Sequence, residues 1–450
     1  MRHHLSDFTV HPSVFPSDAV SRVTIRSRGR NTAFEQGYTY RVVVTPMEAL
    51  CASYDRLATT SYLLQPEDGA LTFEHEFRGE QAHVIVISPP EELTLTPCPY
   101  FDYKVPCHPS LRTPCLYVYS VRSDLYGCPV HKGDLHLHTF DSDGHEDAAG
   151  VVSNLRTAGY DFLAITNHHV FEPSEEAIAL FDGVASGMTL LTGEEVHVPT
   201  DRIHAINVGA TQSVNGYYRA HREEADQEVR ALAQTLELPE DVEPVDYAYR
   251  VWAARKIREF GGMAIFAHPH WMWQHGFFVA DPITKLTLAR DDYDAFELLD
   301  GGLVENNMTT ALYQEERAAG HTLPPIGSSD SHCTENGDPF RPTSRFTLVF
   351  SPGRDWESLR DAICRNQCVA VEQHGSEPYP RAYGAYRLVK YALFLLHNYY
   401  PVYQELCFEQ GRQLREYALT GSDESARLLR LFDERADAFT RAFFGGMEPR

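Results

Sequence analysis

Histidines and carboxylates cluster in the middle of the sequence in patterns that suit metal binding. The chain has 22 histidines in 450 residues, and 15 of them lie between His131 and His374. His136 and His138 are two residues apart in a predicted strand, so both side chains lie on one face and can bind one ion together. Asp143 follows on the next turn and can return to the same place, because a glycine after it allows a tight bend. One such histidine pair is weak evidence, since about one is expected by chance at this histidine content.

Five further predicted strands end in a similar way. Each terminates in histidine, aspartate or glutamate, within the segments 164–169, 191–196, 202–207, 265–271 and 326–332. A single polar strand end is usually a satisfied loop residue, but six in succession would be very costly as a buried, unpaired cluster. The carboxyl ends of barrel strands converge on one side of the fold. The pattern therefore predicts a shared metal-binding site.

This succession of motifs resembles the PHP superfamily, the polymerase and histidinol phosphatase metalloenzymes. The motifs that carry the resemblance lie, in order, at His136–Gly144, Thr166–His168, Gly193–Glu195, His268–Pro269 and Ser329–His332. Their combination is specific, whereas each motif alone is not. The resemblance implies a distorted (β/α)7 barrel and a metal-dependent phosphoesterase or phosphatase. A predicted β-sandwich before the barrel is similar to the branch of this superfamily named after carbaryl hydrolase.

Carried over residue by residue, the resemblance implies nine metal ligands. They are His136, His138, Asp143, His168, Glu195, His204, His268, Asp330 and His332. Nine ligands exceed what one ion can bind, so two or three divalent ions are implied, and Mn, Fe and Zn fit this ligand set about equally. Glu195 is the best candidate for a bridging ligand, although the choice between Glu194 and Glu195 rests on spacing alone. Asn167 stands where the family usually has aspartate, which removes a negative charge beside a ligand.

Three residues are predicted to take part in the chemistry itself. Asp330 closes the metal cluster from the last barrel strand, while His270 and His169 lie next to predicted ligands. Either histidine could bind the substrate phosphate or protonate the leaving oxygen, and a structural role is an open alternative. The expected reaction is hydrolysis of a small phosphate ester by attack of a metal-bound hydroxide at a di- or trinuclear site. Two alternatives stay open: hydrolysis of carboxylic or carbamate esters at the same site, and a non-catalytic, metal-stabilised binding module.

The hydrophobic patterns around these motifs predict an α/β protein with three regions. Residues 1–129 are predicted to form a small all-β sandwich and a linker, because short segments alternate between apolar and polar residues. Residues 130–375 alternate apolar strands with amphipathic helices, which predicts a mostly parallel sheet or a barrel covered by helices. Residues 376–450 repeat leucine and phenylalanine at helical spacing, which predicts a helical C-terminal extension that packs against the barrel or a second subunit.

Composition and charge limit the range of partners. Asp and Glu number 63 against 39 Lys and Arg, which gives a formal net charge of −24. Because such a surface repels phosphate backbones and anionic lipids, we expect a small phosphate ester as partner, without stable nucleic-acid or membrane binding. No apolar run reaches the length of a transmembrane helix, and no secretory signal is visible. The nine cysteines are then best read as reduced thiols, so a cytoplasmic location is expected.

Overall fold

The computed structural model describes residues 8–29, 33–48, 59–88, 95–97, 104–106, 115–199, 203–273, 275–300, 303–334, 344–373 and 379–447. The strands within these ranges are β1 (Phe8–Val10), β2 (Val14–Pro16), β3 (Ala19–Ser27), β4 (Tyr40–Pro46), β5 (Thr60–Leu64), β6 (Ala70–Phe77), β7 (Gln81–Ser88), β8 (Leu95–Pro97), β9 (Lys104–Pro106), β10 (Cys115–Val121), β11 (Val130–Asp134), β12 (Phe162–Ala164), β13 (Thr189–Leu191), β14 (Gly193–His197), β15 (His204–Val208), β16 (Met263–Phe266), β17 (Met272–Trp273), β18 (Gly276–Phe277), β19 (Ala295–Leu299), β20 (Pro325–Gly327), β21 (Arg345–Phe350), β22 (Cys368–Glu372) and β23 (Arg381–Gly384). The helices are α1 (Ala148–Thr157), α2 (Glu172–Leu180), α3 (Val214–Ala220), α4 (Arg222–Ala233), α5 (Pro244–Glu259), α6 (Asp281–Leu288), α7 (Leu303–Ala319), α8 (Trp356–Cys364), α9 (Tyr386–Asn398), α10 (Tyr400–Thr420) and α11 (Asp423–Phe444).

The first of two compact units contains the early strands. It comprises Met1–Cys128, Leu393–Pro401 and Asp437–Arg450. One sheet has the order β1-β3-β6 and another β2-β10-β7-β4-β5, and all neighbours pair antiparallel except β2 and β10. Apolar side chains from both sheets, such as Ile25 and Ile85, belong to one core. Alternation of buried and exposed residues along β6 follows from the period of two in a strand with one solvent-facing side.

Strand β10 is a difference from the sequence prediction. The chain after Pro89 is predicted to be a linker, but β10 lies inside a sheet between β2 and β7. Leu116 and Val118 are buried and Tyr117 is exposed, which is the alternation of a half-buried strand. The frequent proline and cysteine around this segment obscured that signal. Residues 89–94, 98–103 and 107–114 lie outside the described ranges.

The second unit comprises Pro129–Ala392 and Val402–Ala436. Its two large sheets have the orders β13-β12-β11-β21-β22-β23 and β14-β15-β16-β19-β20. In the first of these sheets, β11 to β13 pair parallel, whereas β11 with β21 and β21 to β23 pair antiparallel. In the second sheet, β14, β15 and β16 pair antiparallel, whereas β16, β19 and β20 pair parallel. The fold is therefore mixed α/β, with more antiparallel pairing than strand–helix alternation predicts. The connection from β14 to β15 is too short for a helical crossover, so these strands form a hairpin.

The two large sheets are joined at strand ends that carry predicted ligands. Isolated bridges link Leu137 with Ser331 and His168 with Glu195. Apolar side chains from both sheets, including Phe162 of β12 and Ile265 of β16, form one buried cluster. Closure into a seven-stranded barrel and the three-domain division both stay predictions.

Helix ends follow local capping rules. Asp147 accepts a hydrogen bond from the backbone N–H of Gly150 at 2.6 Å at the start of α1, and Asp355 caps α8 in the same way. Pro401 lies in the first turn of α10, where proline is tolerated because its missing N–H has no helical partner. Across the described ranges, every helix is too short or too polar to cross a membrane.

A buried ionic network fixes α1 against the strands and α10 of the second unit. Asp161 accepts hydrogen bonds from the backbone N–H of Lys132 at 2.9 Å, from Arg156 at 3.2 Å and from the hydroxyl of Tyr403. Arg156 also donates to Gln410 at 2.8 and 2.9 Å. Because both charges are fully enclosed, each depends on the other for compensation.

We predict that Asp161→Ala lowers the free energy of unfolding by about 3–5 kcal/mol, because it leaves the Arg156 charge buried without its carboxylate. Chemical denaturation of the variant beside the parent measures this loss. Asp361→Ala, which removes an exposed i,i+4 partner of Arg365, serves as the control and should change stability little. Equal effects of the two substitutions would contradict the importance of the buried network.

Candidate metal centre

All nine predicted metal ligands come together in the second unit. His136, His138 and Asp143 follow β11, His168 follows β12, and the remaining ligands lie in or after later strands. Every one of the nine belongs to at least one group of side chains whose ligand atoms lie within 4.8 Å of one another. These groups share members: the four residues His138, Asp143, His168 and His332 form one, and the others include Glu195 or Asp330. The structure thus places together what the sequence motifs single out, and metal ligation itself stays a prediction.

The carboxylate of Glu195 lies at the centre of the cluster. Its Oε2 atom is 2.7 Å from Nδ1 of His168, and 3.5 and 3.6 Å from Nε2 of His136 and His138. Its Oε1 atom faces a different pair, Nδ1 of His204 at 2.8 Å and Nε2 of His268 at 3.2 Å. Two oxygens that face separate sets of imidazoles suit a carboxylate shared between two ions.

Two aspartates complete the cluster from other loops. Oδ1 of Asp330 lies 2.8 Å from Nε2 of His138 and 3.2 Å from Nε2 of His136. Asp143 lies 3.3 Å from Nε2 of His168 and 3.2 Å from Nε2 of His332. Asp330 has a φ of 48°, a left-handed conformation that is uncommon outside glycine and that turns its carboxylate toward these histidines.

Four buried atoms in this cluster make no hydrogen bonds with one another, and their spacing is that of ligands around a metal ion. Nε2 of His136, Nε2 of His138, Oε2 of Glu195 and Oδ1 of Asp330 have no hydrogen-bond partner among the described residues, although they lie 2.8 to 3.6 Å apart. Ligands bound at about 2.1 Å around one ion are spaced by about 3.0–3.4 Å, the edges of an octahedron or a tetrahedron. The donor set of imidazoles and carboxylates suits Mn, Fe or Zn.

Without a metal, the cluster divides into protonated and neutral imidazoles. Burial lowers the pKa of every histidine in it, but Asp143 and Glu195 outweigh burial at His168 and raise its pKa to about 10. Glu195 and further carboxylates likewise raise the pKa of His268 to about 9. For His138 and His204 burial prevails and lowers the pKa to about 4. The histidines in turn outweigh burial at Glu195 and hold its pKa well below the ordinary value.

Glu297 contacts two histidines of the cluster, although the ligand motifs do not include it. It lies in β19 and is buried, and its Oε1 atom is 2.9 Å from Nδ1 of His136. Its Oε2 atom accepts from the backbone N–H of His268 at 3.1 Å. A carboxylate at Nδ1 holds the proton there and leaves Nε2 of His136 free to bind a metal. A charged residue inside the apolar run of β19 was the signal that could have identified it.

The structure separates the two adjacent glutamates that spacing alone could not. Glu194 points away from the cluster, and its oxygens accept from Asn207 at 3.1 Å, Ser213 at 2.6 Å, Asn215 at 3.0 Å and the backbone N–H of Val214. Its hydrogen bonds tie β14 to β15 and to the start of α3. Glu194 therefore supports the strand, and Glu195 faces the histidines.

Asn167, which stands where the motifs of the PHP superfamily usually have aspartate, holds a loop of the centre. Its Oδ1 atom accepts from the backbone N–H of Thr139 at 2.7 Å and from Ser142 at 3.0 Å, and its Nδ2 donates to Thr139 Oγ1 at 2.6 Å. An amide can both donate and accept here, which a carboxylate cannot. The loop that carries Asp143 is fixed by these bonds.

The three predicted catalytic residues occupy different surroundings. Asp330 is part of the cluster described above. His270 is buried, with Nδ1 2.8 Å from Thr309 Oγ1, and it lines a small cavity together with His268 and Glu297. His169 is exposed with a φ of 63°, and its ring packs on that of His197 with centroids 4.5 Å apart. His374, the last histidine of the histidine-rich region, lies outside the described residues.

Comparisons with known proteins find partial structural similarity only. No family model and no curated protein matches the chain. A two-domain protein from Bacteroides vulgatus that contains a predicted PHP-like metal-dependent phosphoesterase is 19% identical over 55% of this chain and 66% of its own, with a TM-score of 0.38. An amidohydrolase from Chromobacterium violaceum, with bound sulfate and no metal, is 19% identical over 47% of this chain and 93% of its own, with a TM-score of 0.32. Similarity at this level identifies neither a family nor an activity.

We predict that substitutions of the two adjacent glutamates affect different properties of the protein, one its metal content and the other its stability. Glu195→Gln should lower the metal content by at least one ion per chain, because it removes the charge shared by the surrounding imidazoles. Glu194→Gln should instead lower the free energy of unfolding by about 1–3 kcal/mol, because its amide would face buried donors. Elemental analysis and denaturation of both variants test this. A loss of metal only in Glu194→Gln would reverse the assignment.

We also predict that metal binding releases protons near neutral pH. His168 and His268, with pKa values raised to about 10 and 9, are protonated in the metal-free protein at pH 7 and must be neutral to act as ligands. Metal affinity should therefore rise from pH 7 to pH 9, and the number of protons released should fall over the same range. Calorimetric titration in buffers of different ionisation enthalpy measures both. A pH-independent affinity would contradict it.

Proposed function

We propose that the chain is a metal-dependent phosphoesterase that hydrolyses a small phosphate ester at a centre of two or three divalent ions. The observation that carries the proposal is the set of buried, unpartnered ligand atoms of His136, His138, Glu195 and Asp330. A cluster of this kind is costly in a folded protein unless a cation compensates it. The order of the motifs, which resembles the PHP superfamily, and the bridges that join the two large sheets support a distorted (β/α)7 barrel.

Solvent reaches the centre from one side. The side chains of Asp143, His332 and Asp330 are 56%, 32% and 22% exposed, whereas those of His136 and Glu195 are fully buried. A substrate would approach over Asp143 and His332. The fully buried side chains of His136 and Glu195 are closed to solvent.

The charge balance favours an anionic substrate. Two or three divalent ions bring more positive charge than the three carboxylates, Asp143, Glu195 and Asp330, can neutralise, because the other six ligands are neutral imidazoles. The excess positive charge suits a phosphate monoester, even though the whole chain has a net charge of −24. When bound, such ions activate water and stabilise the charge that develops on a phosphoryl group.

The protein's own residues hold this arrangement and its protons. Glu195 presents one oxygen to His136, His138 and His168 and the other to His204 and His268. Its position determines the spacing between the metal-binding groups. Nδ1 of His332 donates to the backbone carbonyl of Asp330 at 2.8 Å, which leaves Nε2 to face Asp143.

The test compares Asp330→Asn with the parent. The substitution keeps the side-chain volume but removes the charge that faces His136 and His138. We expect a lower metal content and a roughly thousandfold or greater loss of rate on p-nitrophenyl phosphate. Asp361→Asn, an exposed aspartate on α8, is the matched control and should keep both. The parent should carry at least two transition-metal ions per chain in elemental analysis.

The same assay on p-nitrophenyl acetate separates ester classes. If the parent hydrolyses only the carboxylic ester, the proposed phosphoesterase activity is wrong. The chain is then a carboxylic or carbamate ester hydrolase that uses the same centre. A parent that binds metal but hydrolyses neither ester, across a panel of metabolites with Mn, Fe and Zn, would favour a metal-stabilised binding module. Unchanged turnover and metal content in Asp330→Asn would remove Asp330 from the centre.

A further inference from the structure

His197 lies beside the metal centre but is not among the nine predicted ligands. It follows Glu195 by two residues in β14, so the two side chains leave the same face of the strand. Its side chain is 5% exposed, and its ring stacks on that of His204 with centroids 4.1 Å apart. The backbone N–H of His197 donates to Asn215 at 2.9 Å, which fixes the end of the strand.

The neighbouring ligand His168 has both ring nitrogens inside the centre. Nε2 faces Asp143 at 3.3 Å, and His168 belongs both to the group with His138, Asp143 and His332 and to a group with Glu195 and His197. Nδ1 lies 3.0 Å from Nε2 of His197 in a hydrogen bond. A neutral imidazole has only one lone pair, so only one of these two nitrogens can bind a metal.

We propose that His197 is a positioning residue: its Nε2 accepts a hydrogen bond from Nδ1–H of His168, which commits Nε2 of His168 to the metal beside Asp143. The proposal rests on the metal centre of the proposed function. It gives His168 the same kind of partner that Glu297 provides for His136. Such partners fix the tautomer and the orientation of a metal-binding imidazole.

The alignment of the hydrogen bond favours His197 over Glu195 as the partner of Nδ1 of His168. Oε2 of Glu195 is nearer to Nδ1 of His168, at 2.7 Å, yet it has no hydrogen-bond partner among the described residues. Nδ1 of His168 and Nε2 of His197 are thus the aligned pair, and a proton on Nδ1 makes His168 the donor. The same oxygen of Glu195 also faces Nε2 of His136 and His138, which suits a metal ligand rather than an acceptor for His168.

The experiment compares His197→Phe with His197→Gln in the full chain. Phenylalanine keeps a ring against His204 but cannot accept a hydrogen bond, whereas the amide oxygen of glutamine can accept one near the position of Nε2. We expect His197→Phe to weaken binding of one ion by about ten- to a hundredfold, and His197→Gln to stay within a few fold of the parent. Chelator competition with Zn or Mn and elemental analysis measure binding, and thermal melting verifies folding. His321→Phe, a change of a half-exposed histidine that contacts Glu316, is the control.

Each result decides the proposal. Equal loss in both His197 variants would overturn it, because an amide is a poor substitute for a metal-binding imidazole and His197 would then be a ligand itself. Unchanged binding in His197→Phe would overturn it as well. A parent that binds no metal would overturn both this proposal and the proposed function. A parent that binds metal but hydrolyses no phosphate ester would defeat the proposed function alone, since the binding readout does not depend on activity.

Discussion

The fully buried carboxylate of Glu195 is the constraint around which the second unit is organised. Taking an ionised carboxylate out of water costs several kcal/mol unless charges or hydrogen bonds replace its hydration. Six imidazoles surround it within 3.6 Å, from His136, His138, His168, His197, His204 and His268. Since these histidines come from different strands of two sheets, the strands must end at one place for the carboxylate to be tolerated.

The fold satisfies this constraint with two kinds of connection. Parallel strands such as β11 and β12 place His136 and His168 at their carboxyl ends, as in other α/β architectures. The hairpin of β14 and β15 departs from that pattern, and it brings His204 opposite His197 and beside Glu195. Asp330 reaches the same place because its backbone is left-handed after β20. Because β14 and β15 pair antiparallel, both of these adjacent strands contribute side chains to the centre.

The sequence was enough to predict which side chains come together in the cluster, but not what surrounds them. His136 and His138 are recognisable because the period of a strand puts them on one face, and the polar strand ends stand out against apolar runs. The choice between Glu194 and Glu195 depends on the pleat of β14 relative to its neighbours, which pair across long sequence distances. The pairing of β10 was also missed, since its partners β2 and β7 lie far from it in the chain. Local patterns carry little information about such pairings.

A centre built mostly from histidine needs a second layer of residues. Imidazoles add donors without adding negative charge, so ions bound here would keep a positive charge that could attract an anion. Each imidazole, however, has two nitrogens, and a neighbour must decide which one carries the proton. The carboxylate of Glu297 holds the proton on Nδ1 of His136, and the backbone carbonyl of Asp330 holds it on Nδ1 of His332. Those neighbours have no fixed spacing from the ligands, because they act through space from other strands and loops. Motifs therefore identify the side chains that form such a cluster, whereas its protonation pattern depends on the packing of the sheets.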